Sequence, residues 1–355
     1  MKSVFIFGAG SSKLAGAPLM NNFLDCAYDL LRLKTSGVIE VEKEFVNVFD
    51  AIAELQGVHS KSYLDLDNIE ILFGTIEMGL LLCRLGDRNK ESITNLRSSL
   101  ITLIYKTLEN SIKFPVRNER LFPPKPYDAF ISILKDAESK QPPQDPHGFS
   151  FITFNYDLCL DFALNYYRYR YDYCLEPTNA PNGLPLLKLH GSINWGSSSD
   201  DIIVPFNISD AHFRDLYDYD HVIFNLGSRL STKYYKEKPL IGPIIVPPTW
   251  NKNSYHGQLS NVWSRAAFEL SLAENIFVIG YSLPETDSFF RYLYALGSES
   301  KTRLRNFIVI NPDKSGKTKD RFSELIGRGI ESRFEYIELP FQEGIGIIKD
   351  ILKNP

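Results

Sequence analysis

An α/β fold, with a sheet of about six mainly parallel strands, helices on both faces and a large helical insertion after the first strand, is what this sequence predicts. Three observations lead there. Short runs rich in β-branched and aromatic residues, each bounded by turn residues, recur at 4–7, 149–154, 186–190, 276–280, 307–311 and 334–339. The later runs alternate with helical patterns at 262–273, 286–296, 318–326 and 342–352, and such alternation implies a parallel sheet covered on both faces. The first run, Val4-Phe5-Ile6-Phe7, ends in Gly8-Ala9-Gly10. That is the punctuation expected where a buried parallel strand turns into a helix in a Rossmann-type sheet.

Roughly 140 residues separate the first strand from the second, far beyond an ordinary βα connection. An insertion must fill them. Amphipathic runs at 19–33, 41–55, 66–83, 93–112 and 127–137 predict that it is helical. The expected division is therefore a core of 1–20, 147–196 and 262–355, a helical insertion of 21–146, and a second insertion of 197–261. The second is rich in Tyr, Asp, Asn and Pro and lacks steady periodicity, so it reads as a flap or an assembly surface. Pro123-Pro124, Pro142-Pro143-Gln144-Asp145-Pro146 and Pro247-Pro248 mark the expected hinges. No internal repeat appears at solenoid periods.

At 355 residues the chain can bury a sizeable core, and 44% hydrophobic with 23% charged residues is an ordinary globular composition. With 39 basic and 43 acidic residues its formal charge is −4, which supplies no general attraction for nucleic acid or an anionic membrane. Cys26, Cys83, Cys159 and Cys174 are scattered, with no CxxC pair, so no metal site is expected. The start, MKSVFIFGAG, is too short for the apolar region of a signal peptide, and the most apolar later stretch, 69–85, contains Glu70, Glu77 and Arg84. A cytoplasmic location is expected.

Five segments at strand ends carry the candidate chemistry, because ligands of open α/β sheets bind at the carboxyl ends of the strands. Gly8-Ala9-Gly10-Ser11-Ser12 has amides that could cradle a pyrophosphate at a helix start; the alternative is a tight turn. Thr153-Phe154-Asn155-Tyr156-Asp157 sets an amide and a carboxylate after a strand, where either could instead cap the next helix. His190, in Lys188-Leu189-His190-Gly191-Ser192-Ile193-Asn194-Trp195, is the histidine that ends an apolar strand, whereas His59, His147, His212, His221 and His256 fall in polar or loop-like context. A histidine exchanges protons near neutral pH, although a lone one is more often structural. Gly280-Tyr281-Ser282-Leu283-Pro284-Glu285-Thr286-Asp287 offers donors to a phosphate or ribose, with Asp287 or Thr286 equally readable as a helix cap. Asn311, in Ile310-Asn311-Pro312-Asp313, stands either beside an adenosine ribose or in an ordinary Asn-Pro turn.

Together these segments resemble the sirtuin superfamily, and more closely the sirtuin-like NAD hydrolases of bacterial antiphage defence systems. The likeness lies in GAGSS, TFNYD, LHGSINW, PPTW, GYSLPETD and INPD, in that order. Two features of protein-deacylating sirtuins are missing: the CxxC…CxxC zinc module, and an arginine soon after the GAG loop, where the chain reads Ala17-Pro18-Leu19-Met20. The resemblance implies NAD as substrate, cleaved to nicotinamide and ADP-ribose. It implies catalytic roles for Asn155 and His190, with Asp157 ordering the loop, and NAD contacts from Gly8, Ala9, Gly10, Ser11, Gly280, Ser282 and Asn311. A toxic effector that depletes NAD follows, as a homo-oligomer or in complex with a separate sensor or ATPase subunit. Tyr217, Tyr219, Tyr234 and Tyr235 make the second insertion the candidate assembly surface. The alternatives are a subunit that senses NAD or ADP-ribose without turnover, and an NAD-dependent deacylase.

Overall fold

The computed structural model describes residues 1–58, 63–118, 120–139, 148–177, 180–200, 202–206, 208, 217–218, 221–222, 234–236, 238–246, 256–285, 287–299 and 302–353. The proline hinge at 142–146, the segment at 247–250, Tyr219, Thr286, His59, His147 and His212 lie outside the described residues.

Seven strands form the central sheet: β1 (Lys2–Phe7), β2 (Gly148–Thr153), β3 (Tyr171–Asp172), β4 (Leu184–Lys188), β5 (Asn275–Ile279), β6 (Asn306–Ile310) and β7 (Phe334–Ile337). Their order is β7-β6-β5-β1-β2-β4-β3, and every neighbouring pair is parallel. This is one strand more than expected. The extra one, β3, is a two-residue edge strand, too short to leave a period in the sequence.

β1 occupies the centre because Val4, Phe5, Ile6 and Phe7 are all fully buried, as a strand covered on both faces requires. Its odd residues face one helical layer. Phe5 and Phe7 meet Phe130 edge-on at 5.0 and 5.4 Å, and Phe7 meets Phe341 at 5.9 Å. Those partners belong to α6 (Lys125–Glu138) and α11 (Phe341–Lys353), and α7 (Cys159–Tyr166) packs beside α6. The opposite face carries α8 (His256–Ser271), α9 (Ser288–Gly297) and α10 (Lys317–Leu325). There Ser150 reaches Glu269 and Phe307 meets Tyr294 and Phe322.

The chain between β1 and β2 is helical, as predicted: α1 (Phe23–Arg32), α2 (Ser36–Ile39), α3 (Glu42–Val58), α4 (Ile69–Leu82) and α5 (Lys90–Ser111) precede α6. α5 is the hub, with α1, α3 and α4 against it. Its Ile93, Leu96, Leu100, Leu103 and Ile104 are buried at helical spacing. The last helix, α6, lies on the sheet itself. The described residues of the second insertion include several short ribbons. Trp195–Ser197 pairs with Ile203–Pro205, and Ile244–Ile245 pairs with Gly191–Ser192. Tyr217–Asp218 and His221–Val222 join Phe114–Arg117 from the helical insertion, so the two insertions are stitched together. Among the described residues no helix is long and apolar enough to cross a membrane.

Candidate functional site

The turn after β1 is not an α-helix start, which differs from the expectation. Residues Ala9–Ala15 form a 3-10 helix that Gly16 ends with φ +98. Only glycine adopts that conformation without cost while coming this close to the Ser111 carbonyl. α1 begins seven residues later, at Phe23. The amides foreseen as a phosphate cradle are partly engaged within the protein: Gly8 N–H donates to the Ile279 carbonyl at 3.0 Å, Gly10 N–H to the Gly280 carbonyl at 2.9 Å, and Ser11 N–H to the Gly8 carbonyl at 3.0 Å. Gly8, Gly10 and Gly280 are small because two turns touch. A Cβ on Gly280, whose φ is +61, would lie 2.2 Å from Ser11 N, and one on Gly8 would lie 2.6 Å from Tyr281 Cα.

Asn155 emerges from β2 beside this turn and is 9% exposed. Its Nδ2 lies 3.1 Å from the Gly8 carbonyl, 3.2 Å from Ser11 Oγ and 3.3 Å from Ser12 Oγ. Both serine hydroxyls also lie 2.8 Å from the hydroxyl of Tyr127 on α6. Burial pushes the Tyr127 phenol well above its ordinary pKa, and the nearby Asp157 and Cys159 push it further. It is therefore a neutral donor and acceptor, joining two serines that sit more than a hundred residues away in sequence.

Asp157 takes the capping role that the sequence left open. Its Oδ1 accepts from the Cys159 N–H at 2.9 Å, at the start of α7. Beneath it runs a fully buried polar chain. Lys188 Nζ donates to the Asp157 carbonyl at 2.5 Å and to Asp161 Oδ2 at 3.1 Å. Tyr173 donates to Asp161 Oδ1 at 2.5 Å, and Asn194 Nδ2 reaches Tyr173 at 3.1 Å and the Phe206 carbonyl at 2.8 Å. A buried lysine is costly unless paired, and this chain supplies the pairing while tying the β2 and β4 ends together.

His190 follows β4, next to β2, and is 4% exposed. Its carbonyl accepts from the Val246 N–H at 2.9 Å, while the Tyr156 hydroxyl donates to the Val246 carbonyl at 3.1 Å. Phe154 stands edge-on to the imidazole at 5.2 Å and stacks on Tyr281 at 4.2 Å. Asp287 approaches from the turn before α9, with Oδ1 3.9 Å from His190 Nε2 and Oδ2 accepting from the Tyr281 hydroxyl at 2.6 Å. Although Asp287 precedes α9, its side chain makes no capping bond.

Asn311 sits at the β6 end. Its Nδ2 donates to the Tyr281 carbonyl at 3.2 Å and its Oδ1 accepts from the Asp313 N–H at 3.0 Å. Asp313 in turn accepts from the Ser315 and Thr318 amides, and these bonds, with the Ser315 and Thr318 hydroxyls, hold its carboxyl far below the usual range. Ser282 is half-buried, and its carbonyl accepts from Arg321 at 3.4 Å.

The fold thus brings Gly8, Ala9, Gly10, Ser11, Asn155, Asp157, His190, Gly280, Ser282 and Asn311 to the carboxyl edge of β1, β2, β4, β5 and β6. Sequence reasoning missed Tyr127, Asp287 as the neighbour of His190, and the Lys188–Asp161–Tyr173–Asn194 chain. For Lys188 a signal existed, since a lysine closing the apolar run Leu184–Lys188 must be buried and therefore paired. All four cysteines are free thiols. Among the described residues no three His, Cys, Asp or Glu side chains gather as a metal site would require.

A family model described as "SIR2-like domain" matches residues 150–332, slightly more than half of the chain. The match includes Asn155, His190, Gly280 and Asn311 and begins after the β1 turn. No curated protein sequence matches. Among solved structures, a Sir2 homologue in complex with NAD is 14% identical, with a TM-score of 0.45, and 99% of this chain and 90% of that one are covered. A Sir2–p53 peptide–NAD structure is 10% identical, with a TM-score of 0.42 and coverage of 99% and 94%. Sir2 with the inhibitor EX-527, 2′-O-acetyl-ADP-ribose and a deacetylated p53 peptide is 11% identical, with a TM-score of 0.40 and coverage of 98% and 93%.

Proposed function

The chain belongs to the SIR2-like domain family, and from that premise we propose that it hydrolyses NAD to nicotinamide and ADP-ribose. NAD is then a substrate, not a redox carrier. The observation that carries the reading is the placement of Asn155 and His190 at the carboxyl ends of adjacent parallel strands, with the Gly8–Ser11 turn against Asn155. Hydrolysis is favoured over deacylation by the sequence, which has neither CxxC pairs nor an arginine after the GAG loop.

In the proposed reaction the C1′–N bond breaks with its electron pair leaving on nicotinamide, so positive charge develops on the ribose. Water adds to C1′ and gives up a proton. The protein must orient the ribose, stabilise that charge and admit one water. Asn155 holds the water or the ribose, His190 binds ribose hydroxyls and accepts the proton, and Asp157 orders the loop through the α7 start. Gly8, Ala9, Gly10 and Ser11 form the pyrophosphate loop, with Gly280 and Ser282 beside it and Asn311 at the adenosine side.

The test is NAD consumption by the purified protein, with nicotinamide and ADP-ribose quantified, run alone and with candidate partner subunits. Stoichiometric release of both products supports the proposal. Binding of NAD or ADP-ribose without loss would identify a sensor, and turnover only with an acyl-peptide would identify a deacylase. We assign the enzyme to the cytoplasm as an NAD-depleting defence effector, working as a homo-oligomer or with a separate sensor or ATPase subunit. Expression in cells should then lower NAD and stop growth, in an assembly larger than the monomer.

A further inference from the structure

We propose that Asp287 is the positioning residue of His190: its carboxylate stands beside Nε2 of the imidazole, orients the ring and makes it a stronger base. The reaction this base serves rests on the NAD hydrolase reading; the geometry stands on the structure alone.

His190 Nε2 and Asp287 Oδ1 are 3.9 Å apart, and the two side chains are 4% and 2% exposed. That is too long for a hydrogen bond. It is well inside the range of roughly 4–6 Å over which an opposite charge favours the protonated form, and burial keeps salt and water from screening it. The carboxylate is fixed from behind. The Tyr281 hydroxyl donates to Oδ2 at 2.6 Å, and the Asp287 N–H donates to the Pro284 carbonyl at 3.0 Å. Tyr281 is stacked on Phe154, which stands against the imidazole. Burial first, and then the Asp287 charge, keep the Tyr281 phenol protonated, so it remains a donor to the carboxylate.

The orientation of Asp287 is the telling detail. An aspartate that opens a helix ordinarily turns its carboxylate back to cap the first amides, which stabilises by about 1 kcal/mol. Asp287 opens α9 without doing so and faces His190 instead. The other groups near the ring are one neutral phenol, one further carboxylate and one opposing cation. Tyr156 lies 6.4 Å from the imidazole with its hydroxyl committed to Val246, and its phenol is held protonated by burial, then by Glu70 and Asp287. Glu70, in the first turn of α4, adds a second negative charge near Tyr281, against the positive charge of Arg291 on α9.

The chemical consequence follows from proton balance. When water adds to C1′, its proton passes to the His190 imidazole, and the imidazolium so formed is stabilised by the Asp287 carboxylate. The carboxylate itself stays ionised.

Asp287→Asn tests this in the full-length protein, since it keeps shape and a Tyr281 acceptor while removing the charge. The titration midpoint of His190 is followed by NMR and assigned by its absence in His190→Gln. The midpoint should fall by about one pH unit or more. kcat should drop at least about tenfold, the acid limb of the kcat profile should move down with the midpoint, and KM for NAD should stay within about twofold. An unmoved midpoint in folded Asp287→Asn overturns the proposal. If the wild type consumes no NAD, the hydrolase reading fails while the NMR arm still decides the pair; if it consumes NAD and Asp287→Asn keeps its pH profile, only the pair fails. Asp287→Ser replaces the Asn variant should that one not fold. Should neither fold, a wild-type midpoint at or below the ordinary histidine value of about 6.5 overturns the proposal and one above it supports it.

Discussion

Replacing Asn155 by Ala separates structural from catalytic work at one side chain. Nδ2 carries two protons and has three acceptors within 3.3 Å, the Gly8 carbonyl and the hydroxyls of Ser11 and Ser12, so at most two bonds form at once. None of those acceptors is stranded by the mutation. The Gly8 carbonyl keeps the Ser11 N–H and Oγ–H, and both serines keep Tyr127. The loss is therefore near the lower end for two neutral bonds, about 1–2 kcal/mol, or a melting point lower by roughly 1–3 °C in a chain of 355 residues. Loss of an oriented polar group at a reacting centre costs about a hundred- to a thousandfold in rate. Calorimetry and an NAD-loss assay on the same preparation then give a folded protein with a small thermal shift and at least a hundredfold slower cleavage. A folded variant with full cleavage refutes the catalytic assignment. A drop of tens of degrees would make Asn155 chiefly a fastener of the Gly8–Ser12 turn.

Three further outcomes are expected. Tyr127→Phe keeps the ring against Phe7 and Phe341 but removes the hydroxyl between Ser11 and Ser12; KM for NAD should rise several-fold with kcat nearly unchanged, as steady-state kinetics would report. Gly280→Ala should sharply lower soluble yield and melting temperature, because a Cβ at φ +61 would lie 2.2 Å from Ser11 N; recovery of wild-type melting would contradict the turn-to-turn contact. For Glu269, burial raises the carboxyl pKa, but Lys2, Ser150 and Arg265 outweigh it and hold the group below its ordinary 4.5. A depressed folded-state value gives stability that is present above about 4.5 and is lost as pH falls through the folded value. Urea unfolding between pH 7 and 3 should thus show a steeper acid loss in the wild type than in Glu269→Gln, and the variant should be weaker at pH 7.

Much of this arrangement is legible in the sequence because the sheet is parallel and buried. A strand covered on both faces must be a short apolar run, and its chain must turn sharply at the carboxyl end, so Phe7-Gly8, Phe154-Asn155, Leu189-His190 and Ile279-Gly280 all announce themselves. Contacts between distant segments leave no such trace. Tyr127 belongs to an amphipathic helix in which any buried aromatic serves the period, and nothing local says that its hydroxyl meets Ser11 across 116 residues. Asp287 is ambiguous for the same reason: the residues around it spell a helix start, and only the fold turns the side chain toward His190. The glycines carry a further requirement that the sequence does not show: a Cβ on Gly8 or Gly10 would meet the neighbouring backbone at Gly280 and Tyr281.

The buried charged groups of this fold are held in two ways, and the difference bears on function. At the amino end, Glu269 accepts from Lys2, Ser150 and Arg265 at full hydrogen-bonding contact, a closed cluster with no capacity left for a ligand. At the carboxyl end of β4, Lys188 and Asp161 are closed in the same manner at 3.1 Å, with Tyr173 and Asn194 completing the chain. Two residues beyond Lys188, by contrast, His190 and Asp287 stand at 3.9 Å, with Phe154 and Tyr281 packed beside them. A fold that elsewhere draws its buried ions into contact has the means to do so here, by closing less than one more ångström. In the proposed reaction His190 gains and loses a proton in each turnover, and a carboxylate held beside the ring without a hydrogen bond to Nε2 fits that role.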